Sequence, residues 1–153
     1  MHDAMPDMAL ERRFGGLDRL YGKPGAARIR AAHVAVVGVG GVGSWAAEAL
    51  ARSGVGKLTL IDLDHVAESN INRQIHALDE TVGQAKVQAM RDRIERIHPG
   101  CQVHCIEEFV EPGNWPGILP QGVNAVIDAC DQVPAKTAMA VWARASQAMF
   151  ITV

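Results

Sequence analysis

Ten residues constrain this chain more than any others: residues 34–43 read V-A-V-V-G-V-G-G-V-G, an apolar β-branched run that feeds directly into a glycine cluster. Such a run reads as a strand buried on both faces of a parallel sheet. The alanine-rich residues 44–54 that follow read as a helix stopped by Gly54. Strand, sharp turn and helix make the first half of a βαβ unit. Gly38, Gly40 and Gly43 fit G-x-G-x-x-G. Gly38 permits the turn, Gly40 lets main chain approach an anion where a Cβ would clash, and Gly43 lets the helix pack closely on the strand. The helix N-terminus adds unpaired N–H groups and partial positive charge, so this turn suits a phosphate.

The rest of the chain repeats the alternation. Residues 57–61, 101–106, 125–128 and 149–153 read as strands, while 83–98 and 135–147 carry helical spacing. Residues 11–21 and 26–32 suggest two short helices separated by the turn signal Gly22-Lys23-Pro24-Gly25, and the three prolines within 111–122 leave that segment without a regular reading. This pattern predicts an α/β, Rossmann-like, doubly wound and mainly parallel sheet with helices on both faces. Residues 1–153 read as one domain, an N-terminal helical segment over 1–32 and a sheet-bearing core over 33–153. The final M-F-I-T-V resembles strand core, so the core is expected to be incomplete there, with further chain or a partner covering the edge.

The formal charge of −2 gives no reason to expect a surface specialised for nucleic acid, although a local basic patch is compatible with it. The opening M-H-D-A-M-P-D-M has neither a basic stretch nor a long apolar one, and no run is long enough to span a bilayer. Neither a secretory leader nor a membrane anchor is expected. Cys101, Cys105 and Cys130 form no C-x-x-C pair and are odd in number, which favours reduced thiols in a cytoplasm and gives no support for zinc. His65, His76 and His98 match no metal-ligand spacing; they, the cysteines and Trp45 read as packing residues.

Ligands of parallel α/β sheets sit beyond the carboxyl ends of the strands. There the glycine loop is joined by Asp62, at a strand end where an acidic residue accepts both ribose hydroxyls; a helix cap or solvated turn is the plainer alternative. Asp64 by itself reads as loop polarity, but it shares this rim and stands among the candidate contacts with Asn70 and Gln74 of the run S-N-I-N-R-Q at 69–74. Arg73 in that run can clamp phosphate oxygens through paired hydrogen bonds, or can be a solvated surface arginine. Lys86 sits in the first turn of its helix, where a cation opposes the helix dipole and needs another partner, such as a phosphate. Asp131, just past the strand 125–128, can hold Mg²⁺ beside phosphates, whereas Asp128 reads as structural. ATP with Mg²⁺ suits this set.

In order along the chain, G-x-G-G-x-G, L-x-L-x-D, S-N-x-N-R-Q, V-G-x-x-K and D-x-x-D resemble the adenylating enzymes related to ubiquitin-activating enzyme, the ThiF/MoeB/HesA superfamily. An NAD dehydrogenase shares only the first two. Within the superfamily, R-F-G-G-L-D-R-L-Y-G at 13–22, the run 38–56 and N-R-Q-I-H-A-L at 72–78 look most like the tRNA threonylcarbamoyladenosine dehydratase branch. The resemblance implies that ATP activates the carboxylate of threonylcarbamoyladenosine in a modified tRNA as an acyl-adenylate, and that an internal nitrogen then closes a cyclic hydantoin and releases AMP. It implies catalytic roles for Arg73, Lys86 and Asp131, with Mg²⁺ on Asp131. Nucleotide contacts fall to Gly38, Gly40, Gly41, Gly43, Asp62, Asp64, Asn70, Arg73, Gln74 and Lys86. It also implies a homodimer in which an N-terminal arginine, Arg13 or Arg19 here, completes the neighbour's site. Two departures stand out: Gly15-Gly16 follow Phe14 where the carrier-activating branch has an arginine, and family members continue beyond the position of Val153. Activation of a ubiquitin-like sulfur carrier, and nucleotide binding without full turnover, are the alternative readings.

Overall fold

The computed structural model describes residues 4–153. Two helices open it, α1 (Ala4–Phe14) and α2 (Leu17–Ala31). The single helix expected over 11–21 is therefore broken at Gly15-Gly16, and the expected turn at 22–25 bends α2 at Gly22 (φ 71°, ψ 159°) without ending it. Pro24 is tolerated because it falls just past this kink, where a missing N–H removes no established helical bond.

Five strands follow, β1 (His33–Val37), β2 (Lys57–Ile61), β3 (Gln102–Ile106), β4 (Ala125–Asp128) and β5 (Met149–Thr152). Three helices lie between them, α3 (Gly43–Arg52), α4 (Lys86–Ile97) and α5 (Val133–Ser146). The sheet runs in the order β3-β2-β1-β4-β5 and every pairing is parallel. The α/β, doubly wound architecture read from the alternation is the one observed. In register, Val37 lies beside Ile61 on one side and Asp128 on the other, so three strands end level.

Alternate residues of the sheet serve two cores, as the period of a strand requires. Val34, Val36, Leu58 and Leu60 pack with Ala47 and Ala51 of α3 and with Val87, Met90 and Ile94 of α4. Ala35, Val37, Ile61 and Val126 pack with Ala135 and Met139 of α5. The proline-broken segment 111–122 joins the second core: Trp115 is buried and meets Trp142 edge-on, with ring centroids 5.1 Å apart. At the sheet edge, Phe150 of β5 packs inward while Met149 and Ile151 stay exposed. Strand order reverses between β1 and β4, the place where open parallel sheets hold ligands.

Candidate functional site

Beyond the level tips of β1, β2 and β4 lies a cavity of about 490 Å³, within the range of small-molecule sites. The glycine loop forms one wall. Gly38 has φ +86°, and a Cβ there would lie 2.8 Å from the Ala129 carbonyl oxygen; a Cβ on Gly43 would lie 1.6 Å from the Gly38 oxygen. Both glycines are thus required by backbone approach, not by flexibility. Gly40 and Gly41 line the cavity with Val42, the residue preceding α3, and no side chain caps that helix. The Ser44 N–H donates to the Gly40 carbonyl at 3.1 Å, while among the described residues the N–H groups of Gly41 and Val42, on the turn into the helix, have no backbone partner and can meet a ligand.

Asp62 is buried and works first on the protein itself. Its Oδ2 accepts the Val39 N–H (2.7 Å) and its Oδ1 the Asp64 N–H (2.8 Å), which ties the glycine loop to the end of β2. Each oxygen keeps another lone pair for a hydroxyl facing the cavity. His76 braces the same loop from behind, its Nε2–H donating to the Val39 carbonyl at 2.7 Å. Burial chiefly holds the His76 pKa below 6.5, so the ring is neutral and its packing role stands.

The loop after β2 brings the cations. Arg73 and Lys86 line the one cavity, on the same side as the glycine loop. The side chain of Arg73 lies across Gly41, with Cγ, Cδ and Nε each 3.8 Å from where a Gly41 Cβ would sit. Its Nη1 donates to the Ser69 carbonyl and to Asn72 Oδ1, both at 2.9 Å, leaving Nε and Nη2 available. Lys86 opens α4 and is buried, yet among the described residues its ammonium has only the exposed Asp64 carboxylate as a partner, at 3.8 Å. Asn70 is also buried; its Oδ1 accepts the Ala67 N–H, leaving its amide group toward the cavity. Gln74 lines the cavity beside Gly40, and its buried Oε1 has no hydrogen-bond partner among the described residues.

On the opposite wall stand Cys130 and Asp131, past β4. Asp131 is exposed and makes no hydrogen bond or ion pair among the described residues. Burial first, then the Asp128 carboxylate, pushes the Cys130 thiol up to about 11, so it is protonated at neutral pH. Burial likewise pushes Cys101 and Cys105 up to about 11, in keeping with packing roles.

Of the residues read as candidates, all but Gly43, Arg13 and Arg19 line the cavity. Gly43 lies just behind, where it sets the helix on the loop. Arg13 lies elsewhere on its own chain, donating from Nη1 to the Ile97 carbonyl at 2.9 Å. Trp45, read as a core or helix-packing aromatic, is not core: it is half exposed, and its Nε1–H donates to the Arg73 carbonyl at 2.8 Å, tethering the arginine loop to α3. Glu108, Phe109 and Val110 also line the cavity and carry no motif in the sequence. Only the placement of the segment after β3 brings them in.

Residues 14–153 match the ThiF family. The chain belongs to that family. Over 143 residues it is 46% identical to the tRNA threonylcarbamoyladenosine dehydratase of Haemophilus influenzae, covering 94% of this chain and 55% of that protein. With the Bacillus subtilis protein of the same name it shares 49% identity over 121 residues, 79% of this chain and 48% of that one. The crystal structure of Escherichia coli tRNA N6-threonylcarbamoyladenosine dehydratase in complex with ATP superposes with a TM-score of 0.90 at 48% identity, covering 93% of this chain and 58% of that chain. The chain thus spans about half the length of the curated relatives it matches.

Proposed function

We propose that this chain is the nucleotide-activating part of a tRNA threonylcarbamoyladenosine dehydratase. One observation carries the reading: an uncapped helix N-terminus, a loop that admits no Cβ, and the cations Arg73 and Lys86 meet in one cavity. ATP would lay its phosphates along the loop, with ribose hydroxyls donating to Asp62 and a polar group donating to the orphaned Gln74 oxygen. An oxygen of the substrate carboxylate attacks the α-phosphorus, and the bond to pyrophosphate breaks. An internal nitrogen of the same modified nucleoside then attacks the acyl carbon, AMP leaves with the bonding pair, and the nitrogen loses its proton as the hydantoin closes. Negative charge grows on the phosphoryl oxygens in the first step, where Arg73 and Lys86 already stand.

The lining sets two cations against four carboxylates, Asp62, Asp64, Glu108 and Asp131. A triphosphate entering such a site needs more positive charge. Among the described residues no cluster of three or more His, Cys, Asp or Glu could hold a metal alone. Mg²⁺ shared between phosphates and the unpartnered Asp131 fits this donor set, since that ion is usually held by one or two carboxylates together with phosphates. Bound there, it would neutralise phosphate charge. The same reading makes the protein a cytoplasmic homodimer acting on modified tRNA, with Arg13 or Arg19 reaching the neighbour's cavity.

ATP–pyrophosphate exchange tests this. Exchange stimulated by tRNA bearing threonylcarbamoyladenosine is the expected result. Stimulation by a ubiquitin-like carrier in place of tRNA would move the assignment to sulfur-carrier activation, and ATP binding with no exchange under either condition would leave a binding module.

A further inference from the structure

Asp128 and Lys136 have no part in the reaction above, yet their bonding is complete. Asp128 is fully buried. Its Oδ1 accepts the Cys130 N–H (3.2 Å) and thiol (3.1 Å), and its Oδ2 accepts the Lys136 ammonium (2.9 Å) and the Thr152 hydroxyl (2.7 Å). The Lys136 Nζ also donates to the carbonyls of Cys130 (2.9 Å) and Val153 (2.8 Å). Every hydrogen of the ammonium and every in-plane site of the carboxylate is used. Burial pushes the Asp128 carboxyl up, but the bonds from Cys130, Thr152 and Lys136 outweigh it and hold the group below 3.8. The carboxylate is held in its charged form.

The pair grips the main chain at Cys130, through both its N–H and its carbonyl, in the wall that carries Asp131. That wall touches the glycine loop backbone to backbone: a Cβ on Gly38 would lie 2.8 Å from the Ala129 oxygen and 2.9 Å from the Cys130 nitrogen, and one on Gly43 would lie 3.3 Å from the Ala129 Cβ. Among the described residues Asp131 has no side-chain partner, so the main chain at 131 sets the origin and the reach of its carboxylate. A buried ion pair seldom outdoes apolar packing for stability, but its directional bonds can specify one arrangement. Lys136 reaches β4, the loop after it and the residue after β5 from a single atom.

We propose that Asp128 and Lys136 are positioning residues: together they lock residues 129–132 against the glycine loop and so set where the Asp131 carboxylate meets the Mg²⁺ of the bound nucleotide. The inference rests on the nucleotide reading given above and adds to it a device seated outside the cavity. Its precision matters because a site ligand must be held to about half an ångström.

The test is ATP affinity, followed by fluorescence competition across a Mg²⁺ titration, for the wild-type chain, Asp131→Ala, Lys136→Arg and the double variant Asp128→Asn/Lys136→Met. The double variant replaces both charges with neutral groups of similar shape, so no lone buried charge remains to unfold the protein. Both it and Asp131→Ala are expected to raise the Mg²⁺ concentration that gives half the gain in ATP affinity by about 10- to 100-fold, with magnesium-free ATP binding little changed. A merely structural role would lower the melting temperature and leave that Mg²⁺ dependence alone. A folded double variant with wild-type Mg²⁺ dependence overturns the proposal, as does an Asp131→Ala variant with no effect. Should the double variant fail to fold, Lys136→Arg decides: a planar guanidinium cannot reproduce three convergent bonds, so a raised Mg²⁺ requirement supports the proposal and an unchanged one overturns it. Wild-type chain that binds no ATP overturns the nucleotide reading itself.

Discussion

Lys86 illustrates how far single residues could be understood in isolation. Its place in the first turn of a helix marks it as a cation needing a partner, and the fold buries it with only a loose contact to Asp64. On the proposed reading, so loosely paired an ammonium would answer charge that develops during reaction more than it would tighten ground-state binding. Replacing Lys86 or Arg73 with Ala is expected to slow ATP–pyrophosphate exchange by about 10²- to 10³-fold, with the ATP dissociation constant changing far less, as the two measured side by side will show. Asp62 was legible as a site residue from its place at a strand end, but its bonds to Val39 and Asp64 were not. The bond to Val39 joins residues 23 apart in the chain and no spacing rule announces it, whereas the bond to Asp64 is a local one, two residues on. Trp45 teaches the same lesson in reverse, since an aromatic in a helix next to a buried strand reads as core until the fold leaves its face in solvent.

Between helix and strand, the decisive contacts are those with no room to spare. A Cβ on Gly43 would overlap the Gly38 oxygen, so Gly43→Ala must move α3 off the loop or distort the turn. It is expected to cost about 3 kcal/mol of stability and to abolish nucleotide binding, readable from denaturant unfolding and ATP titration. Helices α3 and α4 are joined beneath the site by the buried Glu48, which accepts bonds from Arg52 and Arg93. Glu48→Ala leaves both guanidinium groups without that partner, and a loss of about 1–3 kcal/mol in the same unfolding experiment is expected. Element identity was readable from periodicity because the helices run 10 to 15 residues, about three to four turns, and the strands a few pleats. The helix ends were less so. Nothing local distinguishes a glycine that stops a helix, as at 15–16, from one that only bends it, as Gly22 does.

For the molecule as a whole, acidity offers a direct check on the packing. His33, His76 and His98 are all held below 6.5, chiefly by burial. Well above 6.5 they are neutral in both states and leave stability independent of pH. As pH falls below that value the unfolded chain takes up protons that the folded protein resists, so stability declines until the lower folded values are reached. The denaturation midpoint is therefore expected to drop between pH 7 and pH 5, and His76→Gln, which can still donate to Val39, should flatten that decline by up to one proton's worth. An unchanged slope would show that His76 is not held neutral. At this scale the sheet order places Asp62 from one half of the chain and Asp131 from the other on either side of β1. The candidate site exists only because both halves share that strand.

The sequence by itself determined the α/β class, the parallel strands and the glycine turn, because burial on both faces, helical period and the exclusion of a Cβ are demands that neighbouring residues make on one another. The tertiary structure alone decided that β4 pairs with β1, that Trp115 is core, that Asp62 holds the loop and that Lys136 locks the wall bearing Asp131. Those facts depend on strand order and register, through which residues distant in sequence come within hydrogen-bond reach, and periodicity carries no record of which distant partners will meet.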